Sequence, residues 1–181
     1  MAGVALPPAR PLATRRLALD PLRPGDAAAL HPVFADPEVM RWVGEADGCE
    51  EETALRLLRA ASGDCAATTR GWVVRQDGAV AGLVSLDRIL DGMADLTCLF
   101  LPARWGRGLA AEAAGAVLGF AFRDLGLHRV QLRSDPENGR AHRLAERLGF
   151  TRETRTRQSN RLRNEWRDEV THGLLSREWR G

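Results

Sequence analysis

The sequence predicts an α/β fold: a mixed, mostly antiparallel sheet flanked by helices. Apolar runs separated by the turn signals Asp77-Gly78 and Asp91-Gly92 predict an antiparallel meander of three strands. The third run leads into a glycine loop, an amphipathic helix and a further apolar run, so the third strand needs a parallel neighbour. Two runs near the end of the sequence predict a closing antiparallel pair.

Length and composition indicate one domain over residues 14–181, preceded by a flexible arm with several prolines over residues 1–13. The net charge of +2 is too small to indicate a nucleic-acid partner. The three cysteines lack metal-like spacing, and their odd number favours a reducing compartment. There is no secretory signal and no apolar run of about 18 residues, so we expect a cytoplasmic protein without a metal site or a membrane partner.

The first third of the chain combines one strand with three helices. Residues 14–22 alternate between apolar and polar side chains and predict a strand. Residues 24–35 predict a helix that begins with proline. Asp36 is expected to cap a short helix that follows, and residues 50–62 predict another helix with an acidic first turn.

The meander strands are predicted over residues 71–75, 80–88 and 94–101, and a further strand over residues 129–134 is expected to run parallel beside the third. The connecting helix follows from apolar residues with helical spacing. These are Ala110, Ala113, Ala114, Val117, Leu118 and Ala121.

A second helix is predicted after the turn that contains Asn138, and it ends at Gly149, a common residue just after a helix. The closing pair is predicted over residues 151–157 and 169–175, joined by a loop rich in Arg and Asn. The apolar face of the second helix carries Ala141, Leu144, Ala145 and Leu148.

The glycine loop between the third strand and its helix predicts a phosphate site. Glycine allows the backbone to approach a ligand closely, and a helix N-terminus offers unpaired N–H groups at a positive dipole end. The loop has neither the Gly-Lys-Ser/Thr of a Walker loop nor the third glycine of a dinucleotide fingerprint. We therefore expect a pyrophosphate to be held by the backbone amides of Gly106, Arg107, Gly108, Leu109 and Ala110.

The stretch W-G-R-G-L-A, followed by A-E-A, resembles the acetyl-CoA loop of the GNAT superfamily of N-acetyltransferases. Gly108 and Ala110 fit the last two fixed positions of its Q/R-x-x-G-x-G/A pattern, whereas Trp105 replaces the usual Gln or Arg. This tryptophan form is similar to the ribosomal-protein N-acetyltransferase (RimJ/RimL-like) branch. The later block N-x-x-A-x-x-L-x-x-x-L-G-F, in the expected order and spacing, resembles the segment that follows the family's fifth strand.

The resemblance implies an N-acetyltransferase that uses acetyl-CoA as co-substrate. It implies that the two parallel strands splay apart and that the pantetheine arm enters the wedge, where an N–H near Leu99 polarises the thioester carbonyl. Asn138 is expected to contact this arm. The backbone partners of pantetheine would be Leu99, Phe100 and Leu101, and the candidate partners of the CoA phosphates are Arg104, Arg107 and Arg143.

Asp95 is the candidate base or proton-relay residue, since many relatives carry Glu at this position; the alternative is a solvated carboxylate at a strand end. The sequence contains no Tyr, which excludes a tyrosine acid. Ala141 stands where some relatives carry Ser. Cys98, His172, Ser134 or water remain open as the proton donor.

The acceptor amine stays open between a protein or peptide N-terminus and a small amine such as an antibiotic. Its pocket is expected from residues 24–62, residues 159–165 and the last strands, and the protein is expected as a monomer or homodimer. A non-catalytic acyl-CoA-binding module is the alternative function. Binding of nucleic acid through residues 123–163, with 11 Arg against 5 Asp or Glu, is the third, and the lack of interleaved aromatic residues disfavours it.

Overall fold

Eight strands form one sheet in residues 6–43 and 68–181, the parts of the chain that the computed structural model describes. The helix predicted over residues 50–62 lies outside these ranges. In chain order the strands are β1 (Leu12–Ala13), β2 (Ala18–Pro21), β3 (Arg70–Gln76), β4 (Ala79–Leu90), β5 (Met93–Phe100), β6 (Arg129–Ser134), β7 (Thr151–Leu162) and β8 (Glu165–Leu175).

The strand order is β1-β2-β3-β4-β5-β6-β8-β7, and all neighbouring pairs are antiparallel except β5 and β6. The predicted mixed, mostly antiparallel sheet with one central parallel pair is therefore confirmed. The strand predicted over residues 14–22 is only partly correct. The Thr14 N–H donates to the Leu17 carbonyl at 2.9 Å, and this turn separates two short strands.

The helices of the described residues are α1 (Ala27–Phe34), α2 (Pro37–Met40), α3 (Leu109–Arg123) and α4 (Gly139–Arg147). A 3₁₀ turn (Pro24–Asp26) precedes α1, and another (Pro102–Arg104) follows β5. Asp36 caps α2 as predicted, because its side chain accepts the N–H groups of Glu38 and Val39 at 2.9 and 3.1 Å. None of these helices has both the length and the hydropathy that a membrane crossing requires.

Helices cover both faces of the sheet. On one face α3 and α4 bury a core that includes Trp72, whose ring meets that of Phe120 edge to face at 5.2 Å. On the other face α1 and α2 bury Leu30 and Val33 against Leu83. Side chains alternate between the two faces along each strand, so neighbouring residues of β4 and β5 face different helices.

Residues 6–13, predicted as part of a flexible arm, are held against the domain. The Arg70 guanidinium donates to the Pro7 carbonyl at 2.8 Å, and the Trp72 indole N–H donates to the Arg10 carbonyl at 2.8 Å. The Arg10 side chain pairs with Asp124 after α3. The prolines do not keep this segment apart, because its carbonyls satisfy side chains that the sheet would otherwise bury unpaired.

The closing pair is longer than predicted. Strands β7 and β8 continue to a two-residue turn at Arg163 and Asn164, where φ is 49° and 65°, so most of the predicted Arg/Asn-rich loop is strand. Side chains of residues 151–159 are exposed on both faces of β7. A strand without a buried face has no alternation of apolar and polar residues, and its sequence therefore resembles a loop.

Candidate active site

The parallel strands β5 and β6 separate to form a wedge. They pair at Met93–Arg129, Ala94–Val130 and Asp95–Gln131, and no further pair follows, although β5 continues to Phe100 and β6 to Ser134. Each strand keeps its outer partner, since β5 remains paired with β4 and β6 with β8. A cavity of about 700 Å³ opens between them and extends to α2, the glycine loop and α4.

The backbone of β5 faces the wedge with alternate residues. The Leu101 N–H donates to the Ala81 carbonyl at 3.0 Å. This N–H, predicted to bind pantetheine, therefore faces β4 and not the wedge. The Leu99 carbonyl also points towards β4, because a Cβ on Gly82 would lie 2.2 Å from it. By alternation, the backbone groups of Phe100 and Cys98 face the wedge, which corrects the predicted set for Leu99 and Leu101.

The glycine loop lies directly before α3 and borders the cavity. Gly106 and Gly108 have φ of 71° and 74°, and α3 begins directly afterwards at Leu109. The space around Gly106 is open, as close approach of a phosphate to the backbone requires. Arg107 is exposed and does not line the cavity, and its carbonyl accepts a hydrogen bond from the Arg16 guanidinium at 3.1 Å.

Glu112 fixes the first turn of α3 to the segment between β1 and β2. Its carboxylate accepts the Thr14 hydroxyl at 2.6 Å and the Arg16 N–H at 2.9 Å. Burial would raise the pKa of Glu112, but these hydrogen bonds and the Arg16 guanidinium outweigh burial and lower the pKa. These contacts hold the N-terminus of α3, with its first N–H groups, beside the cavity.

Trp105 supports the cavity wall instead of supplying a cation or an amide. Its indole N–H donates to the Phe100 carbonyl at 2.7 Å, and its ring packs against the cores on both faces of the sheet. The Arg140 guanidinium lies 3.8 Å from its ring centroid. Five arginines line the cavity, namely Arg104, Arg133, Arg140, Arg143 and Arg147.

We expect Arg140→Ala to raise the KM for acetyl-CoA roughly fivefold to tenfold, because a cation held on an aromatic face is preorganised for a phosphate. The effect should shrink with added salt. Exposed Arg177, outside the cavity lining, is the control, and its change to alanine should leave this KM within about twofold. Steady-state kinetics at low and high salt measure both, and equal KM values would contradict the assignment.

Asn138 lies at the start of α4 and lines the cavity. Its side chain accepts the Ala141 N–H at 3.2 Å and so caps the helix. The preceding turn is clamped by Asp135, which is buried and accepts Arg167 Nε at 2.8 Å. Burial would raise the pKa of Asp135, but the bonds from Arg167 and the Glu137 N–H outweigh it and lower the pKa. The turn is therefore fixed beside the wedge.

The other end of the cavity is lined from α2 and the residues after it. Glu38, Val39, Trp42 and Val43 form this wall. The β7–β8 turn, predicted to contribute near residues 159–165, does not line the cavity. The site thus has a cationic end at the glycine loop and an end with one carboxylate and apolar side chains at α2.

Most predicted binding residues meet in this cavity. Asp95 does not line it: its carboxylate accepts Gln131 Nε2 at 2.7 Å and Arg133 Nη2 at 3.0 Å, and it also pairs with Arg88. Leu101 and Arg107 do not line it either. The predicted residues that do are Leu99, Phe100, Arg104, Gly106, Gly108, Leu109, Ala110, Asn138 and Arg143.

The candidate proton donors differ in position. Burial, and secondarily the Asp87 carboxylate, raise the pKa of the Cys98 thiol to about 12, so this thiol stays protonated. His172 is buried beside His142 and does not line the cavity. Ser134 does line it, and its buried hydroxyl has no hydrogen-bond partner in the described part of the chain. An unpaired buried hydroxyl beside the wedge fits an amide-bearing ligand.

Gly106 and Gly108 lie directly before the N-terminus of α3, arginines line the same cavity, and the pairing of β5 with β6 ends beside it. Such an arrangement suits a ligand in which a diphosphate is joined to an amide chain. The chain belongs to the acetyltransferase (GNAT) domain family, whose match covers residues 16–151. Acetyl-CoA is therefore its acyl donor, and the protein is an acetyl-CoA-dependent N-acetyltransferase.

Known relatives agree with this membership. The chain is 27% identical over 168 residues to an uncharacterized N-acetyltransferase of Bacillus subtilis, YnaD, covering 93% of this chain and 98% of the relative. A crystal structure of a GNAT-family acetyltransferase from Bacillus anthracis has 25% identity and a TM-score of 0.81, covering 93% and 99% of the two chains. The Escherichia coli spermidine N(1)-acetyltransferase is 36% identical over 84 residues, 45% of each chain.

Proposed function

We propose that the protein transfers the acetyl group to a primary amine by direct attack within a ternary complex. The observation that carries this proposal is the continuous cavity, which runs from the glycine loop through the wedge to α2. A donor that enters from the loop and an amine that enters past Trp42 would meet in the wedge. Alignment of two bound reactants supplies much of the catalysis that aminolysis of an activated thioester needs.

Direct attack is favoured over an acetyl-enzyme intermediate. Cys98 is the thiol that lines the cavity among the described residues, and its pKa of about 12 leaves almost no thiolate at neutral pH. The initial-velocity lines for acetyl-CoA and the amine should therefore intersect. Parallel lines, or an acetyl adduct on the protein after acetyl-CoA alone, would contradict the ternary complex.

Two acceptor classes fit the site. The tryptophan form of the glycine loop resembles the ribosomal-protein branch and supports a protein N-terminus, whereas the partial match to a spermidine acetyltransferase supports a small amine. A carboxylate at the acceptor end, Glu38, suits the positive charge that either amine carries in water. We propose the cytoplasm as the compartment, because a free thiol at Cys98 fits reducing conditions.

An acceptor screen tests the function directly. Release of CoA thiol from acetyl-CoA is followed with alanine- and serine-initiated peptides, spermidine and aminated antibiotics, and mass spectrometry locates the acetyl group. We expect one class to be turned over and the product to carry acetyl on nitrogen. Tight binding of acetyl-CoA without thiol release for any amine would instead indicate an acyl-CoA-binding module.

For Asp95 we propose a positioning function rather than that of the base predicted from its place in the strand. Both carboxylate oxygens of Asp95 accept hydrogen bonds from side chains. In the β5–β6 pairing, Asp95 and Gln131 are the last paired residues before the two strands separate. Through Arg133, which lines the cavity, Asp95 would orient a cation beside the bound donor.

A further inference from the structure

Asp87 on β4 is a half-buried residue whose carboxylate accepts hydrogen bonds from two hydroxyl groups. Its Oδ2 accepts the Ser85 hydroxyl at 2.8 Å and the Thr97 hydroxyl at 2.9 Å. Within residues 6–43 and 68–181, no arginine forms an ion pair with it. Burial raises the pKa of Asp87, and the two hydroxyl hydrogen bonds only partly offset this. Two hydroxyls are weak compensation for a half-buried charge, so this carboxylate is well suited to take up a proton.

Asp95 lies directly opposite Asp87 in the β4–β5 pairing but has a different environment. Asp95 is compensated by Arg88 and Arg133, and Arg133 also reaches Glu169 at 3.4 Å. The Asp87 carboxylate also contributes to the raised pKa of the Cys98 thiol, after burial. The arginines that compensate Asp95 therefore do not compensate Asp87, whose charge is met by the Ser85 and Thr97 hydroxyls among the described residues.

Thr97 connects Asp87 to the cavity. Thr97 lines the wedge, whereas Ser85 and Asp87 lie behind it on β4 and do not. The Thr97 hydroxyl donates its hydrogen bond to Asp87. The lone pairs of the hydroxyl oxygen can therefore accept a hydrogen bond from the cavity side. An amine in the wedge would find an acceptor here that is backed by the Asp87 carboxylate.

We propose that Thr97 and Asp87 form the proton path of the reaction, in which Thr97 accepts a proton from the attacking nitrogen as its own proton passes to Asp87. This inference rests on the proposed direct attack. The amine first loses its ammonium proton to solvent, and the neutral nitrogen then forms the N–C bond to the acyl carbon while its second proton passes to Thr97. The C–S bond breaks, and the thiolate leaves with its electron pair and takes a proton from solvent. Asp87 then returns its proton through Thr97 to solvent, which restores the starting state.

The path predicts a specific pH dependence. The carboxylate must be ionised to accept a proton, so kcat should fall as the pH drops through the pKa of Asp87, which lies above the ordinary value for aspartate. Ser85→Ala removes one stabilising hydrogen bond from the ionised form and should move this acid limb to higher pH.

The test uses acetyl-CoA with whichever of spermidine or an alanine-initiated peptide the wild type turns over faster. Asp87→Asn should lower kcat about 100-fold and abolish the acid limb, with the KM for acetyl-CoA within about twofold. Thr97→Val keeps the shape of the side chain, removes the hydroxyl, and should lower kcat at least about tenfold, whereas Thr97→Ser should restore it to within about threefold. Asp77→Asn, at an exposed hairpin turn, is the matched control and should retain wild-type kcat.

Thermal unfolding and acetyl-CoA binding check that each variant is folded. Wild-type kcat with an unchanged acid limb in folded Asp87→Asn would overturn the path, and so would full activity of Thr97→Val. A loss of activity that Thr97→Ser does not restore, with the acid limb kept in Asp87→Asn, would mean that these residues only support the fold. If the wild type itself acetylates neither amine, it is the proposed acceptor class that fails.

Discussion

Replacing Gly108 with valine is expected to weaken acetyl-CoA binding about 100-fold, close to 3 kcal/mol. Gly108 has φ of 74° and caps the N-terminus of α3, where a β-branched residue is strained. A Cβ there would lie 3.4 Å from the Arg147 guanidinium, which lines the cavity, so the larger side chain would also displace a cation. Calorimetric titration with acetyl-CoA, and the KM where activity persists, measure the loss.

The control for backbone strain is Gly78→Val. Gly78 has φ of 77° and lies in the β3–β4 turn away from the cavity, and a Cβ added to it would meet no atom within 4 Å. This variant should lose about 1–2 kcal/mol of stability from the same unfavourable φ and keep its affinity for acetyl-CoA. If both variants bind the donor as the wild type does, the glycine loop is not the diphosphate site.

The sheet and the glycine loop before α3 follow largely from local sequence. The turns at Asp77-Gly78 and Asp91-Gly92 define the meander, and a strand followed by a glycine loop and a helix requires the parallel neighbour. These features depend on residues close together in the chain. The cavity lining by Gly106, Gly108 and Asn138 is correspondingly close to the prediction.

The candidate acid–base groups are harder to predict because their environment depends on partners from other strands. A two-residue turn at Asp91-Gly92 alone would place Asp87 opposite Leu96, but an irregularity between Asp87 and Leu90 shifts the register by one residue. Asp87 therefore lies opposite Asp95, and Ser85 opposite Thr97, a register that the turn signal does not predict. The sequence also does not indicate that the Arg88 side chain forms an ion pair with Asp95. Arg88 has φ of 50° at this irregularity in the β4–β5 pairing, a backbone conformation that the sequence pattern of a regular strand does not predict.

Which residues of β5 direct their backbone groups into the wedge could not be predicted from the sequence either. Predicting that Leu99, Phe100 and Leu101 face pantetheine requires knowing which residues of β5 give their N–H and C=O groups to β4. Only the pairing of Leu101 with Ala81 reveals this, since alternate residues of a strand bond to opposite neighbours. A shift of the β4–β5 register by one residue would exchange the residues that bond to β4 with those that face the wedge.

Gly82→Ala is the second change with a large expected effect. A Cβ at Gly82 on β4 would lie 2.2 Å from the Leu99 carbonyl oxygen and 2.9 Å from the Phe100 Cα, and backbone atoms cannot yield as a flexible side chain can. The methyl group should therefore push β5 towards the wedge and cost about 2 kcal/mol of stability, or roughly 4–8 °C in Tm. Because Phe100 lines the cavity, the KM for acetyl-CoA should rise as well.

Gly119→Ala makes the same chemical change where it should have the opposite effect on stability. Gly119 lies within α3, and a Cβ there would meet no atom within 4 Å. Alanine is favoured over glycine in a helix, so this variant should gain about 0.5–1 kcal/mol of stability and keep its KM. Thermal unfolding and kinetics of the two variants separate the causes: a stable Gly82→Ala enzyme with unchanged KM would mean that β4 does not hold β5 in the position that forms the wedge. If Gly82→Ala loses stability and raises the KM for acetyl-CoA, while Gly119→Ala gains stability, the shape of the proposed donor site depends on the close approach of β4 and β5.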